Sequence, residues 1–226
     1  MRTKFEHTHV YGIRDALRGM RNPLESWGKN DTISDVIQFP PENPNIEVGR
    51  VAIKDRIGKN DMDLACRLIH APEERKFLRQ IFISVDITAP AYWWAEFDTF
   101  KVGVTRNSTS FMHKGTSRAY TENDFETITT RGLEELNHVR DLYLEAEGNE
   151  KKRLFLQLRS LCPMGYLYKS TISMNYENVM NMFRQRKNHR LPHWRVDFCT
   201  WALSLPYMRK FLLAAGIIDE NYEPKE

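Results

Sequence analysis

An α+β fold is what this sequence predicts, on two observations. Ile81, Ile83, Val85 and Ile87 alternate with Phe82, Ser84, Asp86 and Thr88, and residues 166–174, YLYKSTISM, alternate again, which is the period of a strand with one apolar face. Most other segments repeat their apolar residues every three or four positions, as helices do. The 226 residues contain no internal repeat, low-complexity tract or linker-like run, so a single domain over residues 1–226 is expected.

Taken in order, residues 11–27 read as a short helix with Arg14, Arg18 and Arg21 on a basic side, broken at Pro23. The run QFPPENPN at 38–45 has three prolines in eight residues and must be extended or turning. A helix is expected over 61–79, interrupted at Pro72, with Leu64, Leu68, Ile69, Phe77 and Leu78 as its apolar positions. The central stretch follows: a strand ending at Pro90, then a helix capped by Thr88 whose Trp93, Trp94, Phe97 and Phe100 form a broad aromatic face. Part of that face is expected to serve as an oligomer surface. Past Gly103, residues 105–110 read as a polar loop.

Residues 125–161 look like an antiparallel helical pair turning at Gly148 and Asn149. The second strand ends at Met174, and Asn175 is placed to cap a helix running to Arg186. After an interruption at Leu191 and Pro192, residues 194–205 and 207–217 make a terminal helical pair.

Composition excludes several classes. With 41% hydrophobic and 28% charged residues the chain can bury a core, and no apolar run approaches the roughly 18 residues a membrane span needs. The amino-terminal residues are charged throughout, so no secretory signal is read there and a cytoplasmic protein is expected. Cys66, Cys162 and Cys199 are far apart and odd in number, which suits reduced, packed thiols. His7 and His9 lack accompanying carboxylates or cysteines, so no metal site is read there. Neither GxGxxG, GxxxxGK[ST] nor GxSxG occurs. A net charge of +3 suits an anionic small ligand and makes nucleic acid an unlikely partner. Arg184, Arg186, Arg190 and Arg195, interleaved with His189, His193 and Trp194, are the densest basic cluster, and Arg159 is placed to join it at an anion-binding corner.

Taken together, residues 60–212 resemble the flavin-dependent thymidylate synthases. In that family a strand ends in Ala-Pro, an aromatic-rich helix follows, and a loop carries RHRxxSxNExSxRY; here Ala89 and Pro90 stand at the junction, and Asn107 and Ser110 match the Asn and second Ser. The family's later arginine, Leu-Pro turn, strand, Asn, helix and Asn-x-x-x-x-Arg resemble Arg159, Pro163, Asn175, Asn181 and Arg186. Where the signature opens with Arg-His-Arg, this chain has Thr99, Phe100 and Lys101, and its final Arg-Tyr becomes Met112 and His113. Lys101, Arg79, Arg106 or Lys114 would have to supply the missing cations.

The resemblance implies a central, mainly antiparallel sheet flanked by helices, and transfer of a one-carbon unit from methylenetetrahydrofolate to carbon 5 of dUMP, with FAD as hydride carrier and NADPH as reductant. It assigns substrate contact to Glu96, Ser108, Ser110, Arg159 and Arg186, with Ser110 and Arg186 nearest the chemistry. It assigns flavin contact to Lys101, Asn107, Asn175, Asn181 and His189. It also implies a homotetramer with shared active sites. Three other functions fit the residues: a nucleotide-binding protein that has lost the flavin, an enzyme acting on a different pyrimidine or one-carbon unit, and a single-stranded nucleic-acid binder.

Overall fold

The structure is a computed structural model describing residues 3–38 and 51–225. The proline-rich run at 38–45 lies, past its first residue, outside the described residues. The chain begins with strand β1 (Lys4–Tyr11) and helix α1 (Ile13–Gly19). A hairpin of β2 (Ile33–Gln38) and β3 (Val51–Arg56) follows, then α2 (Lys59–Ile69). A 3-10 turn (Arg75–Gln80) leads into β4 (Phe82–Pro90) and α3 (Ala91–Phe97). Next come the short β5 (Thr105–Ser108) and α4 (Phe111–Lys114), then the helical pair α5 (Thr130–Glu145) and α6 (Gly148–Leu161). The chain closes with β6 (Leu167–Asn175), α7 (Tyr176–Arg186), a π-helical turn (His193–Phe198), α8 (Cys199–Ser204) and α9 (Met208–Ala214).

The predicted alternation holds along β4. Ile81, Ile83, Val85 and Ile87 are buried, while Phe82 is exposed and Ser84, Asp86 and Thr88 are half-buried on the other face. β4 and β6 form the middle of a four-stranded antiparallel sheet of order β1-β4-β6-β5, with Val85 opposite Ile172 and Asp86 opposite Thr171. One face packs on the helices and, among the described residues, the other is left half-buried to exposed. The sheet with its helical cover is the α+β arrangement the sequence implied.

The aromatic face of α3 turns inward. Trp93, Trp94 and Phe97 are all buried, and Trp93 stacks on Trp194 at 4.5 Å and on Phe97 at 5.2 Å. It is therefore core within this chain, not an exposed oligomer surface: four large rings fill the space under a four-stranded sheet once the terminal helices close over them. A second, smaller core lies under α5 and α6 around Phe111, Tyr120, Phe125 and Leu158.

Several local expectations change. β1, whose alternation is interrupted by a bulge between Glu6 and His9, pairs with β4, although the sequence reading gave it no strand. Residues 105–108 are an edge strand on β6, because ladder hydrogen bonds satisfy a polar segment as well as solvent does. Thr88 stays in the strand and makes no cap; Pro90 occupies the N-cap position instead. The helix expected over 61–79 ends at Ile69, and a 3-10 turn carries the remainder past Pro72. Arg21 leaves the basic face and is buried against Asp61. Asn175 caps α7 as predicted: its side chain accepts from Asn178 N, and Asn178 Oδ1 accepts from Asn175 N. Among the described residues no helix is long and apolar enough to cross a membrane.

Candidate functional site

Two polar clefts lie on either side of α3 and the 98–104 turn. The first, of about 680 Å³, opens where β6 passes into α7 and is lined by Asn175, Asn178 and Asn181, by Arg75 and Arg79, and by residues 99–103. Its wall is tied together by local chemistry. Gly103 adopts φ +74°, a region open to glycine, and brings the turn against Asn175 and Asn178; Asn178 Nδ2 then donates to Val102 O at 2.7 Å.

Glu177, the second residue of α7, is buried beneath this cleft. It accepts from Arg75 Nε at 3.0 Å and from Arg79 Nε, and Arg75 Nη2 reaches Asn181 Oδ1 at 3.4 Å. Burial alone would raise the Glu177 carboxyl, but the two guanidinium hydrogen bonds outweigh it and hold it below the usual range. Arg79 is pushed up by the same hydrogen bond. Lys101 and Arg184 add two further cations to the lining.

The second cleft, of about 830 Å³, lies between α3, β5 and the end of α6. The alternation of β5 sends Arg106 and Ser108 to this side of the sheet. Arg106 lies over the Trp94 ring at 3.9 Å, donates to Asp98 Oδ2 at 2.8 Å and to Ser170 Oγ at 3.1 Å, and is thereby fixed in place. Arg159, in the last turn of α6, donates to Tyr168 Oη at 2.6 Å and lies over Phe111 at 4.8 Å. Tyr166, on the same wall, has its phenol pushed up to about 12 by burial. Cys162 is likewise held protonated: burial lifts its thiol to about 11, with Arg159 opposing.

A third cluster sits on the far side of α3. Glu96 and Asp98 are two residues apart, which at 3.6 residues per turn puts them on opposite sides of the helix. Arg186 Nη1 lies 3.5 Å from Glu96 Oε2, His189 Nε2 lies 3.4 Å from the same oxygen, and the Arg186 guanidinium sits over Phe100 at 5.3 Å and Trp194 at 5.0 Å. Glu96 Oε2 and Arg186 Nε are buried and have no hydrogen-bond partner among the described residues. Burial pushes the His189 imidazole down, against the pull of Glu96.

The residues named from sequence are thus distributed over three neighbouring places. Lys101, Asn175 and Asn181 line the first cleft. Ser108 and Arg159 line the second, with Ser110 between two of its lining residues at the start of α4. Glu96, Arg186 and His189 form the third cluster. Asn107 points the other way, onto the open face of the sheet opposite Thr171, and lines neither cleft. Within one chain Arg159 and Arg186 do not meet.

No family model and no curated protein matches this sequence. Solved structures do. Two structures of the flavin-dependent thymidylate synthase ThyX from Helicobacter pylori, each holding FAD and dUMP, are similar with a TM-score of 0.64 at 12% identity. The alignments cover 94% and 95% of this chain and 97% and 99% of theirs. The fold is that of a flavin-dependent thymidylate synthase.

Of the four cations that the resemblance singled out, Arg79 and Lys101 stand in the first cleft and Arg106 in the second, while Lys114 lines neither. Sequence reasoning missed Arg75, Glu177 and Asn178. A signal was available: Arg75 and Arg79 are four residues apart and Glu177 follows the capping Asn175 by two, but only the antiparallel pairing of β4 with β6 brings the two segments together.

Proposed function

We propose that the chain is a flavin-dependent thymidylate synthase-like enzyme that transfers a one-carbon unit from methylenetetrahydrofolate to carbon 5 of dUMP. The observation that supports this most is the pair of adjoining clefts, one lined by asparagine amides and cations and the other by guanidinium groups fixed on aromatic rings. Each exceeds about 300 Å³, the lower bound for small-molecule pockets.

The first cleft suits FAD. Asn175 and Asn181 offer amide donors and acceptors to a flat heterocycle, and Arg79 and Lys101 offer charge to phosphates. A bound FAD supplies the hydride transfer, with NADPH as reductant. The second cleft suits the nucleotide. Arg159, oriented by the Tyr168 hydroxyl, presents its remaining N–H groups to phosphate or carbonyl oxygens, and Arg106 and Ser108 flank it. Arg186 would stabilise negative charge building on the uracil carbonyls, since its Nε and its partner Glu96 have buried polar atoms still unsatisfied. Ser110 would stand beside the pyrimidine. A homotetramer in which one copy supplies Arg186 to its neighbour's Arg159 reconciles this role with their separation in a single chain.

The deciding experiment is the visible spectrum of the purified chain before and after addition of FAD, followed by a search for dTMP when dUMP, methylenetetrahydrofolate and NADPH are supplied. A flavin band and dTMP are expected. Colourless protein that cannot take up FAD would instead favour a nucleotide-binding protein on the same scaffold, and product from dCMP but not dUMP would move the activity to another pyrimidine.

A further inference from the structure

We infer that Arg75 and Arg79, bridged by Glu177, form a seat for a pyrophosphate group in the first cleft. Arg75 Nε and Arg79 Nε take the two oxygens of one carboxylate, so a single negative charge is shared between two cations. Two guanidiniums on one carboxylate leave a net positive charge on the triad, which a further anion in the cleft can neutralise.

The surroundings strengthen the case. Four cations and one carboxylate line the cleft, an excess of three positive charges, in a chain whose whole net charge is only +3. Binding Glu177 through Nε leaves the Nη ends of each fork to point elsewhere. Arg75 is nearly buried at 12% side-chain exposure and is further steadied on Asn181, so its position is fixed, whereas Arg79 at 59% reaches into the opening. A nearly buried guanidinium below and an exposed one at the rim can grip two linked tetrahedral groups from two sides. A lone carboxylate ligand would satisfy only one fork. The two signature cations that this chain lacks at Thr99 and Phe100 would then be supplied from the turn before β4, beside Lys101.

Naming the pyrophosphate as that of FAD rests on the function proposed above; the seat itself does not. The test is calorimetric titration of the full chain with inorganic pyrophosphate, FAD and riboflavin, which lacks phosphate. The intact chain is expected to bind pyrophosphate with an affinity that falls as salt rises. Arg79→Gln should weaken pyrophosphate and FAD about tenfold or more, as loss of a charge-assisted hydrogen bond does, while leaving riboflavin unchanged. Arg79→Lys, which keeps charge but not the fork, should fall between. Because Arg79 is exposed, these variants are expected to fold, and Arg75→Gln serves as a second probe wherever its melting curve stays cooperative. Pyrophosphate that fails to bind the intact chain, or binds Arg79→Gln equally well, overturns the inference. Pyrophosphate binding with the expected Arg79 dependence but no uptake of either flavin would sustain the seat and overturn the flavin reading.

Discussion

Asp61 shows how this protein admits a charge into its interior. Its side chain is fully buried, with Arg21 Nε at 2.7 Å, Asn30 Nδ2 at 2.7 Å and the Thr32 hydroxyl at 2.6 Å all donating to it. Removing the negative charge strands Arg21 at 4% exposure, so Asp61→Asn is expected to cost about 3–5 kcal/mol in urea unfolding. Asp86 makes a different claim, on pH. Hydrogen bonds from Thr171 and then His7, with Lys169 nearby, lower its carboxyl from 3.8 to about 2. A lowered folded-state value means the stabilisation is complete above the unfolded value and disappears as pH falls through the folded one. The stability gap between the wild-type chain and Asp86→Asn should therefore be full at neutral pH, begin to shrink near 3.8 and close towards 2. A gap that stays constant across that range would show that Asp86 acts only through packing. His7 is held to Asp86 at 3.0 Å from a left-handed backbone with φ +48°, so the bulge in β1 is what aims it.

At the scale of elements, the junction of β6 and α7 matters most, since it holds both the cap and the first cleft. Asn175→Ala removes the reciprocal cap and is expected to cost about 1 kcal/mol, whereas Asn175→Asp, which still accepts from Asn178 N, should keep most of it. Thermal unfolding of the two variants separates capping from any role in ligand binding: the aspartate should keep the fold and still alter flavin uptake. This junction was legible in the sequence because alternation, a capping asparagine and helical spacing are all local signals. The β4 strand and the α5–α6 pair were legible for the same reason. β5 and β1 were not, because four polar residues on a sheet edge and a bulged strand with exposed histidines carry no clean period; pairing with β6 and β4 decides them. The site was half legible. Asn175, Asn181 and Arg159 were named from their place in a pattern, but the Arg75–Glu177–Arg79 bridge spans about a hundred residues of sequence and exists only once the sheet has formed.

At the scale of the whole molecule the question is how two arginines placed apart in one chain could act together. Arg159 sits at the end of α6 and Arg186 at the end of α7, and α3 with its inward-facing tryptophans stands between them. No side-chain rotation brings two guanidiniums past a packed core, because interiors at near-crystalline density do not yield to it. If both arginines act on one nucleotide, the proposed homotetramer would let them come from different copies. Consider Arg159→Gln and Arg186→Gln, each expected to abolish turnover of dUMP alone. Chains of the two variants, unfolded and refolded together, would form mixed assemblies in which some sites combine an intact Arg159 from one copy with an intact Arg186 from another. Turnover should then return to a fraction of the wild-type rate, and mass measured by light scattering should show more than one chain per particle. Mixed assemblies of confirmed composition that stay inactive would mean the arginines do not share a site across copies; Arg186 would then serve as a positioning group for Glu96 and His189, and Arg159 would bind its nucleotide unaided.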